Sequence, residues 1–433
     1  MLWRKVYVLQ AEELTRIIYR QPKDYAFYPL ATSATIKLLD LRKTTANLLQ
    51  QLNHDGGNVG PVKEFHGVFK RALLPGPSLD TFVKCALEDL KVELSPISPV
   101  ETSLRQWVDV LAIRVGTAAI WGPKNPFRVD PTLIEAFRKF DDDCYTLYAY
   151  PLPRWTATGV FNAREKLCSG FAAFYYDGGI AEASEILQRR FDVITSHGVP
   201  VEETARLDLA LVHGLLTNTV PVTLWMFHHI FSNELLLEEI YQETRGLLNG
   251  DTIAIKDVRE KCPLLVATWF EVLRLVSGFP SLRTTLRDTT IKNKCLLKRD
   301  AYLVISGVTP HRDPEIWGED VSEFNPRRYL NKSGKEDLRG AVRPFGGGPF
   351  MCPGRFLAFA EVMSIVVTVV LHFQIKTADG RPWTVPKIGM GKPSLGMHKP
   401  ASDLDVIIMR RSDYKYVEWK YDLGDLTMSS RAF

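Results

Sequence analysis

The chain is poor in the features that mark the simplest functional classes. It has six cysteines, at 85, 144, 168, 262, 295 and 352, and none form a C-x-x-C pair. That spacing excludes a zinc knuckle or a small disulfide scaffold and suits thiols kept reduced on the cytosolic side. An excess of charge is missing too: 54 basic and 50 acidic residues leave +4 over 433 residues, without a dense basic run. Nothing in that balance calls for a nucleic-acid partner. No apolar stretch reads as the run of about 20 residues that a bilayer demands. Phe356 to Phe373 comes nearest and is interrupted by Glu361. The opening Met1-Leu-Trp-Arg-Lys-Val-Tyr-Val has the pattern of neither a signal peptide nor an anchor. Gly-rich dinucleotide fingerprints, flavin-domain signals and internal repeats are also lacking, so electrons for redox chemistry would have to come from another protein.

What is present is mostly helical periodicity. Between Val201 and Gly250, Leu207, Leu211 and Leu215 share one face, and Val222, Trp225 and Phe227 extend the apolar character beyond Pro221. A second helix is expected over Cys262 to Val276. A third is expected from Pro353, a residue suited to a first helical turn, to His372; it is apolar almost all round and therefore buried. Short strands are expected at Lys5–Leu9, Thr289–Leu297, Tyr302–Ser306, Phe373–Thr377 and Leu404–Met409, with a loop-rich stretch from Thr309 to Gly348. The expected fold is mainly α with a small β region, one large domain over 1–433.

The segment Phe345-Gly-Gly-Gly-Pro-Phe-Met-Cys352-Pro-Gly-Arg-Phe-Leu-Ala358 carries the most chemistry. Three glycines allow positive φ and close backbone approach. Cys352 follows at a helix start, where unpaired N–H groups and the helix dipole favour a thiolate. Zinc would need further ligands, and none lie at the usual spacing. A nucleophilic cysteine would need a histidine base, and a buried structural cysteine is the plain alternative. An axial thiolate on heme iron needs only this one residue.

Two further motifs precede the loop: Glu271-Val-Leu-Arg274, and Phe324-Asn-Pro-Arg-Arg328-Tyr, itself preceded by His311-Arg-Asp-Pro-Glu-Ile-Trp-Gly. Together with Phe345, Gly348, Cys352, Gly354 and Ala358, these resemble the cytochrome P-450 monooxygenases from end to end of the chain. The resemblance implies the P-450 fold, a heme b cofactor on Cys352, and a Glu271–Arg274–Arg328 network that steadies the cysteine loop. It also implies dioxygen as co-substrate, NADPH-derived electrons from NADPH–cytochrome P-450 reductase, an apolar terpenoid, steroid or polyketide-like substrate, and a monomer. The endoplasmic reticulum membrane, cytosolic face, is the expected location, although the family's anchor, hinge and first helix do not precede Val6-Tyr-Val here.

The central helix carries Gly214-Leu-Leu-Thr-Asn218-Thr219-Val-Pro221. Pro221 should free the carbonyl of Thr217 and open the helix. In the family an acid and a threonine stand there for proton delivery; here Thr219 matches the threonine and Asn218 replaces the acid. The variant is similar to the branch of sterol 7α- and 12α-hydroxylases and prostacyclin synthase and to fungal secondary-metabolism members. An O2-independent isomerase or dehydratase, or a non-catalytic heme or lipid-binding relative, therefore remain alternatives. Phe350 stands where many members place a cation for the heme propionates. Arg283 matches a propionate contact of the sterol-hydroxylase-like branch, with Lys70 and His66 as weaker candidates. Leu215, Leu216, Gly278, Phe279 and Pro280 are the expected substrate pocket.

Overall fold

A computed structural model describes residues 4–50, 61–95, 99–292, 295–330, 338–393, 395–414 and 417–424. Helices dominate, as expected, and the longest, Val201–Phe231, runs 31 residues through the core. Glu202 and Glu203 in its first turn complement the helix dipole, whereas burial keeps His228 and His229 in its last turn neutral. Thr158–Tyr176 and Leu104–Trp121 pack along it, and Thr158–Tyr176 also lies against Thr132–Asp143. Pro221 does not break this helix, contrary to the expected opening: the helix continues to Phe231, with Pro221 buried inside it. Packing on several sides outweighs the single lost N–H.

The helix after the cysteine spans Arg355–His372, not Pro353–His372, because Pro353 and Gly354 form a turn ahead of it. It and Val201–Phe231 are long and apolar enough to cross a bilayer, against the sequence expectation, yet 83% and 67% of their most apolar windows are buried in the protein. Glu361, which interrupts the apolar run of the first, is 6% exposed; burial pushes its pKa up to about 8, so it is mostly uncharged at neutral pH.

The β structure lies at the margins. Val6–Leu9 runs parallel to Tyr302–Ile305, which pairs antiparallel with Ser281–Thr285 and through it with Tyr25–Ala26. In this register Arg283 stands opposite Leu303. Phe373–Thr377 leaves directly from the end of the helix Arg355–His372 and pairs with Asp405–Arg410, itself paired with Val100–Ser103. The expected strand at 289–297 is a hairpin, Thr289–Ile291 against Cys295–Leu297. Within the stretch expected to be loop, the described residues form short turns of helix at Val308–His311, Pro314–Trp317, Pro326–Tyr329 and Gly348–Phe350.

Candidate active site

The cysteine loop folds back on itself. The Cys352 amide donates to the Phe345 carbonyl at 3.0 Å and the Met351 amide to Gly348 at 3.1 Å. Gly346 and Gly348 take φ of 71° and 67°, which a residue with a side chain resists. A Cβ on Gly347 would meet the Tyr19 ring, and one on Gly348 the Tyr19 carbonyl at 2.6 Å. The glycines therefore let this loop press against the helix Glu12–Arg20. Gly354 begins the next helix, its carbonyl accepting the Ala358 amide at 2.8 Å, while its own N–H donates to the Cys352 sulfur.

Cys352 is exposed by area, yet surrounding protein raises its pKa by desolvation, against the Gly354 N–H and the Arg355 charge. The residue is thus accessible while its sulfur is surrounded by protein. Protein alone favours the thiol; a cation bound at the sulfur would reverse that. Among the described residues no three or more His, Cys, Asp or Glu gather into a metal-binding group, so a metal held at Cys352 would take that sulfur alone from them.

Beside the loop lies a cation without an acid. Arg283 is 3% exposed and donates to Ser281 Oγ, the Leu282 carbonyl and the Gly347 carbonyl, at 3.0, 2.7 and 3.4 Å. The rings of Tyr19, Phe27 and Phe350 wall it at 5.3, 5.5 and 5.2 Å. No described carboxylate pairs with it, and burial lowers its pKa. A buried guanidinium left this way fits an anionic group of a bound cofactor. A heme offers such groups as its propionates, and a heme iron would take the Cys352 sulfur. His66 is a poorer partner than the sequence suggested: burial and Arg190 hold its pKa at about 4, so it carries no charge at neutral pH. Lys70 is exposed on the helix Pro61–Ala72.

Behind the loop the three motif charges meet. Glu271 receives Arg274 Nε and Nη2 at 2.8 Å each, Arg328 Nε at 3.0 Å and the Asn325 amide at 3.0 Å. Arg274 also donates to the carbonyls of His311 and Val321, at 2.9 and 2.7 Å, and lies 5.0 Å over the Trp317 ring. Arg328 reaches the Trp317 carbonyl at 2.9 Å and Asp320 at 3.0 Å. His311, kept neutral with a pKa lowered to about 4, accepts the Arg343 amide on Nε2 at 2.9 Å. Arg343 stands two residues before Phe345, so the network connects through His311 to the strap that carries the cysteine.

The central helix exposes one stripe inside this packing: Ala210, Leu211, Gly214, Leu215 and Asn218 stay partly or wholly accessible, with His213 partly accessible beside them and Leu209, Val212, Leu216 and Thr217 buried. No atom lies within 4 Å of a Cβ built on Gly214. Leu215 belongs to this opening. Leu216 does not: it is 1% exposed, and its Cδ2 is 3.3 Å from a Cβ built on Gly116, on the helix Leu104–Trp121. Gly278 is likewise no pocket wall, since His398 Nε2 would stand 1.8 Å from its Cβ. Phe279 is 43% exposed, and Pro280 is half-buried. Thr219 is 7% exposed and donates its hydroxyl to the Leu215 carbonyl at 2.9 Å, so it does not occupy the Thr217 carbonyl that Pro221 frees. Gly396 lies there instead; its Cβ would be 2.8 Å from that carbonyl and 2.9 Å from Asn218 Oδ1. The sequence reading missed Gly214, Gly396 and His398; an unexplained glycine inside a long helix was the one available signal.

Known proteins resemble this chain in sequence and in fold. The profile of the family described as Cytochrome P-450 matches residues 207–403, from the central helix to the C-terminal strand region. The chain is similar to the cytochrome P-450 monooxygenase nodJ of Hypoxylon pulicicidum, 28% identical over 96% of this chain and 83% of that one. It is also similar to the 25-hydroxycholesterol 7-alpha-hydroxylase of Rattus norvegicus, 22% identical over 93% of this chain and 98% of that one. Among solved structures, retinoic acid bound cyanobacterial CYP120A1 superposes with a TM-score of 0.68 at 18% identity, over 94% of this chain and 90% of that one.

Proposed function

Because the chain belongs to the cytochrome P-450 family, we propose that it is a heme-thiolate monooxygenase that places one oxygen atom from O2 into an apolar terpenoid, steroid or polyketide-like molecule. NADPH–cytochrome P-450 reductase is the proposed electron donor, and the cytosolic face of the endoplasmic reticulum, by family resemblance, the proposed location. One observation carries the reading: a reachable Cys352 sulfur and a buried, acid-free Arg283 meet at the same glycine loop. When bound, a thiolate-ligated heme supplies dioxygen activation, the sulfur donating electron density that favours O–O cleavage.

The protein's own residues then have separable tasks. Cys352 would hold the iron, with the Gly354 N–H tempering the charge on sulfur. Arg283 would neutralise a propionate, and its ring cage keeps water from that pair. Ala210, Leu211, Gly214 and Leu215 offer an apolar wall for substrate. Asn218 cannot ionise, so a proton would pass through water and the Thr219 hydroxyl, which must turn away from Leu215 to take part.

That turned-in hydroxyl favours a second reading, an O2-independent isomerase or dehydratase that needs no delivered proton. Product formed anaerobically without NADPH would establish it. The primary test is the carbon monoxide difference spectrum of the reduced protein. The red-shifted Soret band of a thiolate ligand is expected in the wild type and lost in Cys352→Ser; its absence from the wild type, or its survival in the variant, overturns the reading.

A further inference from the structure

The central helix carries a histidine beside the open stripe whose two ring nitrogens have different surroundings. His213 precedes Gly214, and its side chain keeps 12% of its surface accessible. Its Nε2 stands 3.3 Å from Asp141 Oδ1 and 3.8 Å from Cys144 Sγ, both in the segment Thr132–Cys144, and Phe140 presents its ring edge-on at 5.6 Å. Lys399, from the C-terminal segment, pairs with the other oxygen of Asp141 and with Asp142. None of the described residues hydrogen-bonds His213 Nδ1, and that atom is not sealed from solvent.

The electrostatics fix what Nδ1 offers. Asp141 is held far below the usual carboxylate range by Lys399 and His213 despite its burial. In return, the hydrogen bonds and charge of Asp141 and Cys144 raise the pKa of His213 to about 10 against desolvation. At neutral pH the ring is therefore an imidazolium, and both nitrogens carry a proton. Nε2–H is taken up on the protein side, between Cys144 Sγ and the Asp141 charge. Nδ1–H is a donor on a positively charged ring at the edge of an otherwise apolar wall.

We propose that His213, oriented by Asp141, selects the substrate: an apolar molecule bearing a carboxylate or carbonyl oxygen, which accepts the Nδ1 hydrogen while its hydrocarbon body lies along Leu211, Gly214 and Leu215. The inference rests on the reading of the open stripe as a substrate chamber. It assigns to His213 a specificity-determining role and to Asp141 and Lys399 a positioning one. A charged donor in a site poor in other polar groups favours a matching oxygen and penalises ligands that leave it unpaired.

The test is equilibrium dialysis of the heme-loaded protein against two probes of equal chain length, undecanoic acid and the undecyltrimethylammonium ion; the His213 variants separate contact with the imidazolium from any binding of the acid to the metal. The wild type is expected to bind the acid at least tenfold more tightly than the cation. His213→Phe should lower acid affinity about tenfold and leave the cation within twofold. His213→Gln, which keeps an N–H but no charge, should fall between. Should the Phe variant fail to fold, the Gln variant decides, with an expected loss of acid preference of at least threefold. Equal acid binding by wild type and variants overturns the role of His213, and a wild type that does not prefer the acid overturns the substrate class. Both outcomes are independent of the thiolate spectrum: a chain that selects the acid yet shows no such band refutes the monooxygenase reading alone.

Discussion

Glu271→Ala removes the acid at which three motifs converge, and its cost follows from what would be left behind. Glu271 is wholly buried and accepts four hydrogen bonds, from Arg274 Nε and Nη2, Arg328 Nε and the Asn325 amide. Without it Arg274, whose side chain is 0% exposed, keeps only backbone carbonyls for its charge. Arg328, 7% exposed, retains Asp320 as its counter-charge. Breaking a buried pair from one side typically costs about 3–5 kcal/mol, because the remaining charge is neither solvated nor paired. Asp320 makes the control. It belongs to the same network but is 40% exposed, so Asp320→Asn should cost under about 1 kcal/mol. The double variant Glu271→Ala/Arg274→Ala should cost less than the sum of its single changes, since each single change strands the partner of the other. Urea unfolding followed by tryptophan fluorescence gives all four values. A Glu271→Ala loss near 1 kcal/mol, or one matched by Asp320→Asn, would refute the view of the network as a buried, mutually satisfied brace.

Four further outcomes are expected. Arg283→Leu should leave the stability of the heme-free protein unchanged or higher, because it removes an unpaired buried charge, while heme release, followed by transfer to an acceptor protein, quickens at least tenfold. Gly214→Ala, with nothing within 4 Å of the new methyl, should raise thermal stability by about 1 kcal/mol through helix propensity. Gly278→Ala must displace His398 and should cost about 1–3 kcal/mol in the same melt. Burial lowers the pKa of His228 and His311 to about 4, and of His229 and His372 to about 3. With folded values below the unfolded 6.5, the stability these four histidines contribute is full above that pH and is lost as pH falls toward 4, whereas Glu361 and His213, with raised values, act in the opposite sense. Urea midpoints of the wild type and of His372→Phe from pH 8 to 4 check the sign: the variant should lose less stability on acidification, and an identical pH dependence would refute it.

The parts of this site legible in the sequence are those fixed by local chemistry. Glycines that must pass Tyr19, a cysteine ahead of a helix, and a Glu and Arg three residues apart on one helix all leave short-range patterns. Helix faces were harder. Val201–Phe231 is apolar on nearly every side, so its periodicity could not tell Leu215, on the opening, from Leu216, packed toward Gly116. Long-range closure was invisible. Nothing near Gly278 or Thr217 announces that residues 396–398, more than a hundred positions later, will lie against both. Pro221 was misjudged for a related reason: a local rule predicts an opened turn, but tertiary packing decides whether the helix continues.

The two departures from the family pattern have different structural consequences. At Phe350 a cation is missing, and the space is not left neutral: Phe350 becomes one wall of the cage around Arg283, which reaches the loop from a strand some 65 positions earlier and bonds the Gly347 carbonyl. The charge has changed its origin but still stands beside the cysteine loop, and the ring in its place shields it from water. At Asn218 nothing comparable occurs. The side chain faces Gly396, and the neighbouring Thr219 hydroxyl turns to its own helix. The first departure keeps a cation beside the cysteine loop by another route; the second leaves the central helix without an ionisable group at that position. Variation of the reaction should therefore be sought at the central helix and not at the cysteine. Asn218→Asp supplies the test: if proton delivery limits turnover, NADPH consumption with a given substrate should rise several-fold while the thiolate spectrum stays fixed. An unchanged rate would place the limit elsewhere and refute the view that the missing acid at 218 slows proton delivery.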